Sequence, residues 1–214
     1  EAIDNWDEVS EELEEVYDRL NNNDITDAFD LDKKMLAAPL PRCYQFLDGS
    51  AYLPHVERVR KARGAEMPPS FLVDPLMYQA TSDSFLAAHD DVVVTSEDYG
   101  IDFESEVAVI TDDVPMGVTV KQAANHIKLI CIINDVSLRN LIPEELAKGF
   151  GFVHSKPPTS LSPFFVTPDE LGEAWQDTKV HLPLHSHLNG EWFGSPNAGV
   201  DMQFNFAQLI AHAA

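Results

Sequence analysis

The sequence predicts an α+β fold with mixed strands, and three observations carry that prediction. An acidic amphipathic stretch opens the chain, short β-like runs dominate from residue 71 onward, and helical intervals separate those runs. With 214 residues the chain holds one domain of ordinary size or two small ones. Its hydrophobic content of 44% is enough for a sizeable core.

The first element is a helix over residues 6–20, "WDEVSEELEEVYDRL", in which Trp6, Val9, Leu13, Val16, Tyr17 and Leu20 make one helical stripe. The polar run "NNND" ends it. Residues 1–36 therefore read as an N-terminal helical segment, and a Pro-bounded connection, "AAPLPR", leads into the remainder, 37–214. A second helix begins near Pro54 and ends near Gly64. Strands are expected in "SFLV", "DDVVVTS", "SEVAVITDD" and "KLICIIND", with a helical interval starting at Val118 or Thr119 between the last two. "SPFFVTPDEL" reads as a strand running into a Pro-Asp-Glu helix start. "KVHLPLHSHLNGEWFGSP" reads as a hairpin turning at Asn189-Gly190, and "MQFNFAQLIAHAA" as a helix that stops mid-course. No internal repeat or low-complexity linker is evident.

Charge and cysteine content narrow the function. The net charge of −22, from 36 acidic against 14 basic residues, repels nucleic acid and anionic membrane surfaces. The acids are spread along the chain, as on a solvated surface. No apolar run reaches the roughly 18 residues that a transmembrane helix needs. Cys43 and Cys131 lack metal-type spacing and form no framework, which fits a reducing, cytoplasmic setting. The start is unlike a secretory signal and lacks an initiator Met, so a fragment or a processed product is expected.

Four carboxylates interrupt apolar segments at predicted strand ends. Asp74 ends "SFLV", Glu104 and Glu106 open "SEVAVI", and Asp135 ends "LICIIN". Period-2 alternation puts Glu104 and Glu106 on one strand face, followed there by Ala108 and Ile110. Two such carboxylates repel, and burying either one ionised is costly. Taken singly, each acid reads as a strand-end cap facing water. Taken together, they suit a hard divalent cation such as Mg²⁺, Mn²⁺ or Ca²⁺. Lys156, between Ser155 and two prolines, is held on a stiff backbone and could stabilise a developing oxyanion. His181, His185 and His187 are explained by the hairpin without zinc.

In this order, "DFESEVAVITDD", "INDVSLRN" and "SKPPTSLSPFFVTPDELG" resemble the fumarylacetoacetate hydrolase family, and "PLPRCYQFLDGSAYLPHVERVRKARGAEMP" and "DPLMYQATSDSFL" resemble its shorter bacterial members. The likeness spans roughly residues 37–214. It implies a mixed β-sheet roll whose C-terminal part is missing here, and a metal bound by Asp74, Glu104, Glu106 and Asp135. The cation expected is Mg²⁺, alternatively Ca²⁺ or Mn²⁺. The family's active-site Lys corresponds to Lys156 rather than Lys148, and the Arg of its "ND-x-S-x-R" motif to Arg139, which would bind a substrate carboxylate or orient Asp135. Tyr78 lies near a family substrate-contact Tyr. Thr81 stands where the animal enzymes carry a general-base His. In "YLPHVERV", Tyr52, His55 and Val56 match a helix of related members that bears a catalytic His, with Arg58 where those members carry Glu. "LIPEEL" replaces a Gln-bearing substrate segment.

The activity implied is metal-dependent hydrolysis of a carbon–carbon bond in a β-diketo acid, of the fumarylacetoacetate or acylpyruvate kind, as in aromatic amino acid (tyrosine) degradation. A homodimer acting on a small anionic keto acid is implied with it. The alternatives are a decarboxylase, tautomerase or hydratase of 2-oxo acids, and a non-catalytic metal-binding remnant.

Overall fold

The computed structural model describes residues 2–62 and 64–214. The backbone divides into a unit ending at Met35 and a larger one, Leu36–Ala214. The first unit is built on α1 (Trp6–Asn21), the helix expected from the stripe. It ends where Asn23 takes the left-handed conformation (φ 58°) and the Asn22 and Asp24 amides cap the last turn.

In the larger unit the chain runs through β1 (Phe46–Gly49), α2 (Leu53–Ala62), β2 (Met77–Ala80), β3 (Ile101–Asp102) and β4 (Ser105–Thr111). Next come α3 (Val120–Ala123), β5 (Ile127–Asn134), β6 (Ser137–Leu138), α4 (Ile142–Ala147) and β7 (Ser160–Leu161). The short strands β8 (Trp175–Gln176), β9 (Lys179–Val180), β10 (Ser186–Leu188) and β11 (Glu191–Gly194) precede α5 (Phe206–Ala213). The fold is a mixture of helix and sheet. Among the described residues the strands form small sheets rather than a closed barrel.

Sheet β4–β5–β7 is the centre. Antiparallel pairing sets Ala108 opposite Cys131 and Glu106 opposite Ile133, so these four side chains share a face. The same face carries Ile110 and packs on Leu161, Phe46, Phe85 and Phe165. On the other face, Val107, Val109 and Ile130 pack on Trp175, Val180 and Ala198, near a second core around Ile127, Phe204, Phe206 and Leu209. Burial on both sides explains why "IKLICIIN" is almost wholly apolar.

Helix ends follow local chemistry. Thr119 and Gln122 form a capping box at α3, and Asn205 and Gln208 another at α5. The β10–β11 hairpin turns at Asn189 and Gly190, both with positive φ (52° and 82°), as a type I′ turn demands.

Three expected strands are not strands. "SFLV" lies in the 3-10 turn Pro69–Leu72, where Pro68 and Pro69 set a helical start. "DDVVVTS" is irregular, and its Val93 is 84% exposed, so its β-branched residues have no sheet to join. In "SPFFV" only Val166 bridges to Ile130. Conversely, β1 and β2 pair where no strands were expected.

Ile133→Ala removes a side chain from the centre of the β4–β5–β7 face. The loss expected is about 2–5 kcal/mol of unfolding free energy, checked by urea denaturation.

Candidate functional site

The register that pairs β4 with β5 continues past both strands: β3 sets Asp102 opposite Ser137 and Ile101 opposite Leu138, and the Asp135 amide donates to the Glu104 carbonyl (3.0 Å). Period-2 alternation then puts Asp102, Glu104 and Glu106 on the face shared by Ile133, Asp135, Ser137 and Arg139. "DFESE" and "NDVSLR" are thus one cross-strand constellation.

A third carboxylate comes from elsewhere. Phe46 of β1 packs into the core around Ile133 and Leu161, and Asp48, two residues on, projects from the same face. Carboxylate oxygens of Asp48, Glu106 and Asp135 lie within 4.8 Å of one another, close enough to hold one cation. Tyr78, opposite Asp48 across β1–β2, donates from its hydroxyl to Asp48 (2.7 Å) and sits 3.1 Å from Asp135 Oδ2. Thr159 donates to the other Asp135 oxygen (2.5 Å).

The expectation that Asp74 joins this group is corrected. It follows the 3-10 turn, its side chain is 70% exposed, and the nearest partner is His212 at 3.9 Å. Asp48 is the carboxylate that stands beside Glu106 and Asp135 instead. The signal for Asp48 lay in "QFLDG", an acid alternating with a core Phe just before a glycine.

Glu104 faces two cations rather than the other acids. Lys156 Nζ donates to Glu104 Oε2 (2.9 Å), to Ser137 Oγ (2.9 Å) and to the Asp135 carbonyl (3.1 Å), and lies 2.5 Å from Asp135 Oδ2. The lysine is 5% exposed and Asp135 1%. Lys148 is exposed at the end of α4. Arg139 reaches Asp102 through Nε (2.9 Å) and Glu104 through Nη2, so it orients Glu104, not Asp135. His55, on α2, keeps solvent contact and lies within the electrostatic reach of Glu104, Arg139 and Lys156. His185 and His187 pack against Trp192, and His185 Nδ1 pairs with Ser195 Oγ (3.1 Å).

The electrostatics follow from this geometry. Burial opposes ionisation of Glu104, but Lys156 and Arg139 outweigh it and hold its carboxyl below the ordinary value. Burial also works against the Lys156 charge, yet Asp135 and Glu104 raise its pKa. Asp48 is pushed up to about 6, by burial first; the Tyr78 hydrogen bond works against the rise, and the charge of Asp135 adds to it. Glu106 is raised well above its usual value by burial and by its carboxylate neighbours. No described residue donates a hydrogen bond to the Glu106 carboxylate. A partly buried, like-charged oxygen set with surplus negative charge fits a hard divalent cation. Burial lowers the His55 pKa, which keeps the ring neutral near pH 7.

Residues 45–214 match the family model described as fumarylacetoacetate (FAA) hydrolase, C-terminal. The chain belongs to the fumarylacetoacetate hydrolase family. Residues 1–42 match fumarylacetoacetase N-terminal domain 2. A 2,4-didehydro-3-deoxy-L-rhamnonate hydrolase from Sphingomonas sp. (strain SKA58) is 29% identical over 144 residues, covering 66% of this chain and 47% of the relative. The chain thus spans about half the length of that curated relative. Among solved structures, a candidate HpcE protein from Mycobacterium smegmatis superposes with a TM-score of 0.71 at 19% identity, over 99% of this chain and 68% of that one. The fumarylpyruvate hydrolase from Pseudomonas aeruginosa, in complex with Mn²⁺ and pyruvate, gives 0.62 at 12% identity, over 87% and 80%. These superpositions establish the fold of this fumarylacetoacetate hydrolase family member. Among the described residues no helix is long and apolar enough to cross a membrane.

Asp48→Asn is expected to weaken Mn²⁺ binding by more than about tenfold, and Asp74→Asn to leave it unchanged; calorimetric titration of both variants checks this. Because protons compete for raised carboxylates, Mn²⁺ affinity in the wild type is expected to fall as the pH drops through about 6.

Proposed function

We propose that this protein is a metal-dependent hydrolase that cleaves a carbon–carbon bond in a β-diketo acid of the acylpyruvate or fumarylpyruvate kind. The observation that carries the reading is the convergence of half-buried Asp48 and Glu106 on buried Asp135, with the Lys156 ammonium 2.5 Å from Asp135. A divalent cation held by those three acids, Mg²⁺ or Mn²⁺, would supply Lewis-acid polarisation of the substrate's keto-enol oxygens.

The chain's own residues have separate tasks. Lys156 is a fixed, desolvated positive charge beside that position and stabilises negative charge that develops on a substrate oxygen. Glu104 and Ser137 aim its ammonium, and Arg139 in turn aims Glu104. His55, kept neutral, takes a proton from the attacking water. The hydroxide adds to the carbonyl carbon, the adjacent carbon–carbon bond breaks, and its electron pair leaves as an enolate. The proton held by His55 then returns to that carbon. Tyr78 acts here through Asp48 and Asp135, because its hydroxyl is engaged with both. The free thiols of Cys43 and Cys131 suit the reducing, cytoplasmic setting we assign to this chemistry.

Lys156→Met separates catalysis from binding. Turnover of fumarylpyruvate or an acylpyruvate is expected to fall on the order of a hundred- to a thousandfold, with Mn²⁺ affinity nearly intact. Unchanged turnover in this variant would sink the role given to Lys156.

A further inference from the structure

Lys156 sits at the end of a loop that has little else to hold it. Gly149 and Gly151 both adopt positive φ (81° and 95°), and Phe150 and Val153 are 98% and 70% exposed. Yet Ser155 is wholly buried and Lys156 nearly so. The transition occurs at one side chain. The Glu145 carboxylate of α4 accepts from the Val153 amide (3.0 Å), the His154 amide (2.7 Å), the Ser155 amide (3.2 Å) and the Ser155 hydroxyl (2.5 Å). Among the described residues, the hydrogen bonds that tie residues 150–154 to the rest of the fold run to this carboxylate. Beyond it, Ser155 is locked by its carbonyl, which accepts from the Leu138 amide (2.8 Å), next to Ser137. Phe152, from the same loop, stacks edge-on against Tyr78 (4.6 Å between centroids).

We propose that Glu145 is a positioning residue for Lys156: by collecting four donors of residues 153–155 it sets where the ammonium enters the carboxylate group. This rests on the reading of Lys156 given above. A carboxylate suits the task because it is acceptor-only and can receive several donors at once, whereas an amide offers a single oxygen. Desolvation works against its ionisation, but the bonds from Ser155, Val153 and His154 outweigh it and hold the carboxyl at about 2, so the anchor stays charged at any working pH. Glu145 belongs to "LIPEEL", the segment that departs from the family's Gln-bearing one. Its use here is to hold the lysine loop rather than to touch substrate.

The test is Glu145→Gln in the full chain, alone and combined with Lys156→Met. Alone, it is expected to lower kcat on fumarylpyruvate by about 10- to 100-fold, while KM and Mn²⁺ affinity stay within about twofold. On top of Lys156→Met it is expected to change kcat by less than about twofold, because its effect passes through the lysine. In metal-free protein, amine-reactive labelling of Lys156, read by mass spectrometry, is expected to rise several-fold over the wild type. An equal loss of kcat in the Lys156→Met background, or a Lys156 as protected as in the wild type, overturns the proposal. If Lys156→Met alone turns over normally, the catalytic reading of the lysine fails, and the labelling still decides the positioning. Should Glu145→Gln not fold, Ser155→Ala, which removes one of the four donors, must raise the labelling of Lys156 for the proposal to stand.

Discussion

The interaction on which the structure turns is the burial of a lysine ammonium among carboxylates. Glu104, Glu106, Asp135 and Asp48 converge on a region where Lys156 and Arg139 supply the positive charge. Taking charges out of water is expensive, and only close opposite partners with satisfied hydrogen bonds offset the cost. Glu104 has both cations, and Asp135 has Lys156, Tyr78 and Thr159. Asp48 and Glu106 have no such cation, and their carboxyls are raised, by burial first and then by the neighbouring carboxylates. The surplus negative charge is of the sign that a divalent cation would balance with oxygen ligands alone.

The rest of the fold serves that convergence. The antiparallel pairs β3–β6 and β4–β5, in continuous register, deliver two glutamates, two aspartates, a serine and an arginine on one face. The core under that face, built from Cys131, Ile133, Leu161, Phe46 and Phe85, holds β1 at the height where Asp48 reaches Asp135. A rigid strand framework suits a site whose groups must stay close despite repulsion. Lys156, delivered by a long loop rather than beside a strand of this framework, is the group that needs an anchor.

The division of labour among the cations bears on chemistry. Arg139 is spent on Asp102 and Glu104, so it is a support rather than a free carboxylate clamp. Lys156 is dry and fixed, the condition under which a positive charge acts most strongly on charge that develops nearby. A net charge of −22 repels anions at long range, and the cations at the site oppose that field locally.

Much of this was legible in the sequence because it depends on alternation and short-range chemistry. Period 2 placed Glu104 and Glu106 together above Ala108 and Ile110, the stripe from Trp6 to Leu20 specified α1, and Asn189-Gly190 specified the β10–β11 turn. The buried Lys156 was marked by its place between Ser155 and two prolines. What alternation cannot supply is which distant strand comes alongside. Asp74 and Asp48 both follow short apolar runs, and the local signals that separate them are weak. The pairing of β1 with β2, and the packing of Phe46 on Ile133, put Asp48 inside, while the prolines before Phe71 turned Asp74 out to water. The partner of Arg139 and the four donors gathered by Glu145 were hidden for the same reason. Local sequence fixes the face from which a side chain leaves the backbone, but the charge it meets there is set by contacts between residues far apart in the chain.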